Sequence, residues 1–147
     1  MKWGLLVLAA LPLAAAGLAR GDRAADANLA RNGRSPRVNY MLECQGCHLP
    51  DGSGMPGKVP TMKGQIAHFL SVEGGRQFIV RVPGVTNAKL SDADLADLMN
   101  WLVTTLDKPQ SGSFVPYTPQ EIAANRAQRL QEVANVRAEL VKQFPQK

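Results

Sequence analysis

Cys44-Gln45-Gly46-Cys47-His48 holds both cysteines of this 147-residue chain and one of its two histidines. The spacing C-x-x-C-H is the attachment sequence of a c-type haem. Two thiols one helical turn apart can each add to one of the two vinyl groups on a haem edge. The next residue then projects an imidazole at the iron. Other readings of the two cysteines remain open at this point. In an exported protein they would suit a short disulfide. A thioredoxin-like redox pair needs a βαβ setting, and no such pattern surrounds residue 44. A zinc site needs four ligands, and the other histidine, His68, falls at no common zinc spacing.

Working back from the motif, Ser35-Pro36 reads as an N-cap followed by a first-turn proline. A short helix through Val38, Tyr40, Met41 and Leu42 then leads into Cys44. Tyr40 lies one turn before Cys44 on the same face, which predicts packing against haem or a second helix. Residues 20–34 show no periodicity and are rich in Arg, Asp, Asn and Gly, so they read as a flexible leader. Lys2 and an apolar run from Leu5 to Leu18, interrupted by Pro12, read as a signal peptide over residues 1–19, cut after Ala16 or Ala19. The run is short for a span of roughly 20 residues. The expectation is a protein exported to the periplasm, with no membrane span once the signal is removed. Thioether attachment is carried out on that side of the membrane in bacteria.

Working forward, Pro50, Gly52, Gly54 and Pro56 punctuate a loop that Val59-Pro60-Thr61-Met62-Lys63-Gly64 closes. Ile66 to Leu70 reads as a helical turn, and Gly74-Gly75 breaks the chain again. Phe78-Ile79-Val80-Arg81-Val82 is β-rich by propensity and too short to separate a strand from a buried helix. Ser91 to Leu106 is the clearest helix, capped by Ser91 with Asp94 in the capping-box position. Leu95, Leu98, Met99, Leu102, Val103 and Leu106 recur at helical spacing, so one face is buried, with Trp101 flanking it. Residues 107–117 read as a linker. Thr118-Pro119-Gln120-Glu121 opens one further helix within a C-terminal extension, 118–147. Its stripe is Ile122, Leu130, Val133, Leu140 and Phe144, with Arg126, Arg129 and Arg137 interrupting or flanking it. Such a helix suits either folding back on its own domain, residues 35–106, or docking a partner protein.

The net charge is +5 and the pI about 9.6, yet residues 36–106 balance six basic side chains against six acidic ones. Nothing basic concentrates where a haem would sit, so the high pI does not point to nucleic acid. The chain has no internal repeat, Gly-rich phosphate loop, hydrolase triad or carboxylate pair, and it reads as non-enzymatic.

With these segments placed, residues 36–106 resemble the mono-haem class I c-type cytochrome family. The likeness rests on Cys44, Cys47 and His48, the Gly-rich loop after them, Pro60-x-Met62-x-Gly64, and the run Leu90-Ser91-Asp92-Ala93-Asp94-Leu95. The resemblance implies an all-α fold, a few helices around one covalent haem c, here with an additional C-terminal helix. It implies that Cys44 and Cys47 form the thioethers and that His48 ligates the iron. Pro60 would offer its carbonyl to the free ring N–H of His48, and Met62 would pack on the porphyrin. Trp101 would be the aromatic of the terminal helix that crosses the first.

Two places depart from the family. Pro36 stands where the first helix usually carries Gly. The loop Val82 to Leu90, which in the family bears the distal Met, has none, so the sixth iron ligand is unassigned. Met55, Met62, His68 and Met99 are the candidates, and a vacant position is the alternative. The leading functional expectation is a soluble periplasmic carrier of single electrons between a donor such as a periplasmic dehydrogenase and an acceptor such as a terminal oxidase or another cytochrome. The missing Met leaves a second one, a haem protein that binds or senses a small ligand. A peroxidase using His68 or Arg76 lacks an assembled acid–base pair.

Overall fold

The computed structural model describes residues 31–107 and 114–145. The segment read as a signal peptide, and most of the leader before Arg31, lie outside the described residues. So does the centre of the linker, 108–113.

Ser35 caps α1 (Pro36–Glu43): its side chain accepts from the Val38 N–H at 3.3 Å, and Pro36 occupies the first turn without forfeiting a helix bond. The chain does not straighten after α1. Cys44 and Gln45 both donate to the Tyr40 carbonyl, and Cys47 and His48 both donate to the Cys44 carbonyl. The motif is thus wound on the end of α1.

Beyond the loop come α2 (Ile66–Leu70), α3 (Gly75–Arg81) and the single turn α4 (Pro83–Thr86). The β-rich stretch Phe78–Val82 is therefore helical as far as Arg81. Pro83 ends it by holding Val82 extended, at φ −67° and ψ 147°. A Cβ on Gly75 would lie 1.9 Å from the Phe69 carbonyl oxygen, so only glycine lets α3 start this close to α2.

Ser91 caps α5 (Asp92–Leu106) through its side chain, which accepts from the Asp94 N–H at 3.0 Å. Leu95, Leu98, Met99, Leu102 and Val103 of its apolar face are 3% exposed or less. This face is the spine of the main core, where α5 packs on α1 and on α6 (Pro119–Arg126). Tyr40 of α1 is fully buried, with its ring 5.6 Å from that of Trp101 on α5.

The expected single helix from Thr118 to Phe144 is instead two, α6 and α7 (Val133–Lys142). Thr118 caps α6 as its sequence predicts, accepting from the Glu121 N–H at 3.2 Å. The break has a tertiary cause. Arg81, at the end of α3, accepts from the Leu130 N–H at 3.0 Å and donates from Nε to the Gln128 carbonyl at 2.7 Å. Backbone groups that a continuous helix would pair internally are paired with α3. The break divides the stripe between two cores. Ile122 enters the main one, and Leu130, Val133, Leu140 and Phe144 join Phe69 and Phe78 in the second.

Residues 31–34 are not free leader. The Asn32 N–H lies 3.1 and 3.2 Å from the two Asp94 carboxylate oxygens, its side chain donates to Asn39, and Arg31 pairs with Asp97. These bonds satisfy Asp94 and Asn39, which are 4% and 1% exposed. Among the described residues, no helix is long and apolar enough to cross a membrane.

Candidate haem site

Cys44 is half-buried and Cys47 exposed, and neither is in a disulfide. Burial, then Glu43 and Cys47, push the Cys44 thiol up to about 11, so it remains protonated. His48 follows at once. Burial lowers its pKa, which favours the neutral imidazole, the form that binds a metal. Its Nδ1 is buried and makes no hydrogen bond. The bond from this ring to the Pro60 carbonyl that the resemblance implies is thus not formed in this structure. Pro60 is nonetheless drawn towards the motif loop. A Cβ on Gly54 would lie 2.0 Å from the Val59 oxygen and 2.7 Å from the Pro60 oxygen, a close approach only glycine allows.

The loop after His48 is tied at several points. The Tyr40 hydroxyl donates to the Leu49 carbonyl at 2.6 Å, the Met62 N–H to the Gly52 carbonyl at 2.9 Å, and Lys63 Nζ to Asp51 at 2.9 Å. The Lys63 bond and the Ser53 bonds lower the Asp51 carboxyl to about 2. Around this ordered frame, apolar side chains face outward: Met41 is 51% exposed, Leu42 60% and Leu49 50%. An apolar patch beside two free thiols and a buried, unpartnered imidazole nitrogen calls for an apolar group that also takes metal ligation. The residues present fit a covalently held haem.

An open cavity of about 520 Å³ lies between the loop 53–61 and Arg137 of α7. Neither cysteine nor His48 lines it, so it is a separate feature from the motif.

No protein-family model matches the chain. Cytochrome c-552 of Thermus thermophilus is 31% identical over 112 residues, a match that takes in 63% of this chain and 86% of that protein. A second cytochrome c-552, from a named strain of the same species, is likewise 31% identical over 112 residues, covering 63% of this chain and 76% of that protein. The chain belongs to the c-type cytochrome family.

This cytochrome therefore carries covalently bound haem c and acts as an electron carrier. Its all-helical architecture among the described residues is the fold the sequence predicts.

The structure scatters the candidates for a sixth ligand. Met55 is 40% exposed, with its backbone paired to Val59. Met62 is half-buried against the main core. His68 stacks on Phe144 with ring centres 5.2 Å apart, and Met99 is 3% exposed inside the α5 core face. Arg76 is committed elsewhere. It forms two bonds with Glu121 at 2.6 and 2.7 Å, donates to the Val115 carbonyl at 2.7 Å, and lies 4.0 Å over the Tyr117 ring. His68 and Arg76 are thus held by different partners, and no acid–base pair forms from them.

Two residues that tie the C-terminal segment to the rest of the chain escape sequence reasoning. Tyr117, in the expected linker, is 3% exposed, with its N–H on Asn100 at 2.7 Å and its hydroxyl on the Arg76 carbonyl at 2.9 Å. Arg126, bonded to Ala88, Leu90 and Asp92, is the other. The one local signal was an arginine, Arg126, interrupting an apolar stripe.

Proposed function

We propose that this cytochrome is a periplasmic mono-haem carrier, exported by the signal peptide at residues 1–19. Cys44 and Cys47 hold the porphyrin through thioethers, and His48 ligates the iron. When bound, the haem supplies a centre that takes up and releases one electron. The side chains around it decide how that centre is presented. Cys47, Leu42 and Leu49 are exposed, which leaves the thioether edge at the surface for a partner. Met62, partly buried against the same core cluster as Cys44, is the residue for porphyrin packing. Pro60, brought close by Gly54, is the carbonyl that the imidazole N–H takes once His48 is turned to the iron.

The donor is a periplasmic dehydrogenase and the acceptor a terminal oxidase or another cytochrome. The charge balance of residues 36–106 and the apolar rim at Met41, Leu42 and Leu49 favour docking that tolerates salt. The observation that carries this reading is the buried, unpartnered nitrogen of His48 beside two unpaired thiols. It is tested by optical and magnetic spectra of both redox states, on protein matured in a host equipped for cytochrome assembly. A thioether-linked haem and a reversible one-electron titration are expected. Colourless protein with free or disulfide-bonded cysteines would overturn it.

A second reading, a haem that binds a small external ligand, is favoured by one observation. His68 is stacked on Phe144, Met99 is buried in the main core, and the Val82–Leu90 loop has neither Met nor His. Rapid stoichiometric binding of carbon monoxide by the reduced protein supports this reading, and exclusion of carbon monoxide supports the pure carrier.

A further inference from the structure

Arg126, at the end of α6, reaches back to the segment that leads into α5. Its Nη2 donates to the Ala88 carbonyl at 2.7 Å, and its Nη1 to the Leu90 carbonyl at 2.9 Å and to Asp92 Oδ1 at 3.0 Å. The guanidinium is 20% exposed and the Asp92 side chain 10%, so these charge-assisted bonds are shielded from water. Within the same segment, the Lys89 N–H donates to Glu43 at 3.0 Å, and Glu43 immediately precedes Cys44. Between these two holds, Ala88 and Leu90 are each 8% exposed, in the cluster against which Cys44 and Met62 pack. Segment 88–92 is therefore bonded to the residue that precedes Cys44 and contributes to the core against which Cys44 packs. One of its two holds comes from outside the haem-bearing half of the chain.

We propose that Arg126 is a positioning residue of the haem pocket, through which the C-terminal segment sets how residues 88–92 meet the porphyrin. The position of residues 88–92 in turn sets the iron's potential and the access of external ligands to it. This rests on the reading that Cys44, Cys47 and His48 hold the haem. A planar fork is needed, because one guanidinium serves three acceptors in fixed directions and an ammonium does not.

The test compares the haem-loaded wild type with R126L and R126K by potentiometric titration, carbon monoxide binding to the reduced protein, and circular dichroism in the Soret band. α6 keeps its anchor in both variants, because Ile122 is fully buried in the main core. Both substitutions are expected to move the potential and the Soret signal. They are also expected to change carbon monoxide affinity on the order of tenfold, as loss of a group supporting a metal site does. Variants that melt earlier with all three haem signals unchanged would show a structural tie only and overturn the proposal. So would an R126K that matches the wild type, because charge alone would then suffice. If R126L retains no haem, R126K decides by the same criteria. Wild-type protein without haem would overturn the reading of the site itself, and this inference with it.

Discussion

The motif region, Tyr40 to Gly64, and the C-terminal segment from Phe114 onward satisfy their polar and apolar groups in opposite ways. The motif region leaves a buried imidazole nitrogen unpartnered, two thiols unbonded, and Met41, Leu42 and Leu49 at least half exposed. In the C-terminal segment, Arg76 meets Glu121, Arg126 meets Asp92, and Tyr117 is bonded at its N–H, carbonyl and hydroxyl. The motif region is completed by a group that is not polypeptide, whereas the C-terminal segment is completed by the chain itself. A small core resting on a prosthetic group gains from a second set of contacts that does not depend on it.

The largest expected effect tests the first half of that contrast. C44A/C47A should abolish covalent haem, as judged by acid–acetone extraction. It should also lower the thermal midpoint by more than any single substitution in the C-terminal segment. Equal stability with and without haem would break the contrast.

Ile122→Ala comes next. It removes a fully buried side chain of the main core and should cost about 3 kcal/mol. That corresponds to a midpoint lower by roughly 10 °C, with the haem spectrum retained. A loss below about 0.5 kcal/mol in thermal denaturation, within the range of surface substitutions, would show that α6 is not part of the core.

Smaller again is the Arg76–Glu121 pair, whose side chains are 25% and 27% exposed. E121Q should cost about 1–2 kcal/mol, because it leaves a partly buried guanidinium short of its counter-charge. A double-mutant cycle with R76M measures the pair itself, and additive effects would show no coupling.

The smallest effect lies back in the motif loop. Lys63→Met should let the Asp51 carboxyl rise from about 2 towards the ordinary range near 4, read by NMR titration. In the wild type, the folded pKa lies below the unfolded one. The stability this pair contributes is therefore present above about pH 4 and lost as pH falls towards 2. An unchanged Asp51 titration in the variant would mean that Lys63 does not hold that end of the loop.

How far the sequence can be read follows the range of each interaction. The caps at Ser35, Ser91 and Thr118 and the apolar face of α5 were legible because side chain and backbone partner lie within one or two turns. The β-rich run at Phe78–Val82 misled because propensity is a weak prior, and packing on Phe69 and the main core favours a helix there. The helix broken between Arg126 and Val133 was illegible because Arg81 lies 47 and 49 positions from its backbone partners, Gln128 and Leu130. Residues 31–34 looked like leader for the same reason: Asn32 finds Asp94 across 62 positions.

By itself the sequence determined the haem attachment and the terminal helix. Haem c attachment needs two thiols for the vinyl groups and an imidazole for the iron close together in the chain, and a capped amphipathic helix needs only its own periodicity. The tertiary structure alone decided that His68 stacks on Phe144 and Met99 is buried in the main core, that Tyr117 anchors a segment read as linker, and that Arg126 ties α6 to residues 88–92. Each of those outcomes depends on groups far apart in the chain meeting in space, and no local pattern of residues encodes such a meeting.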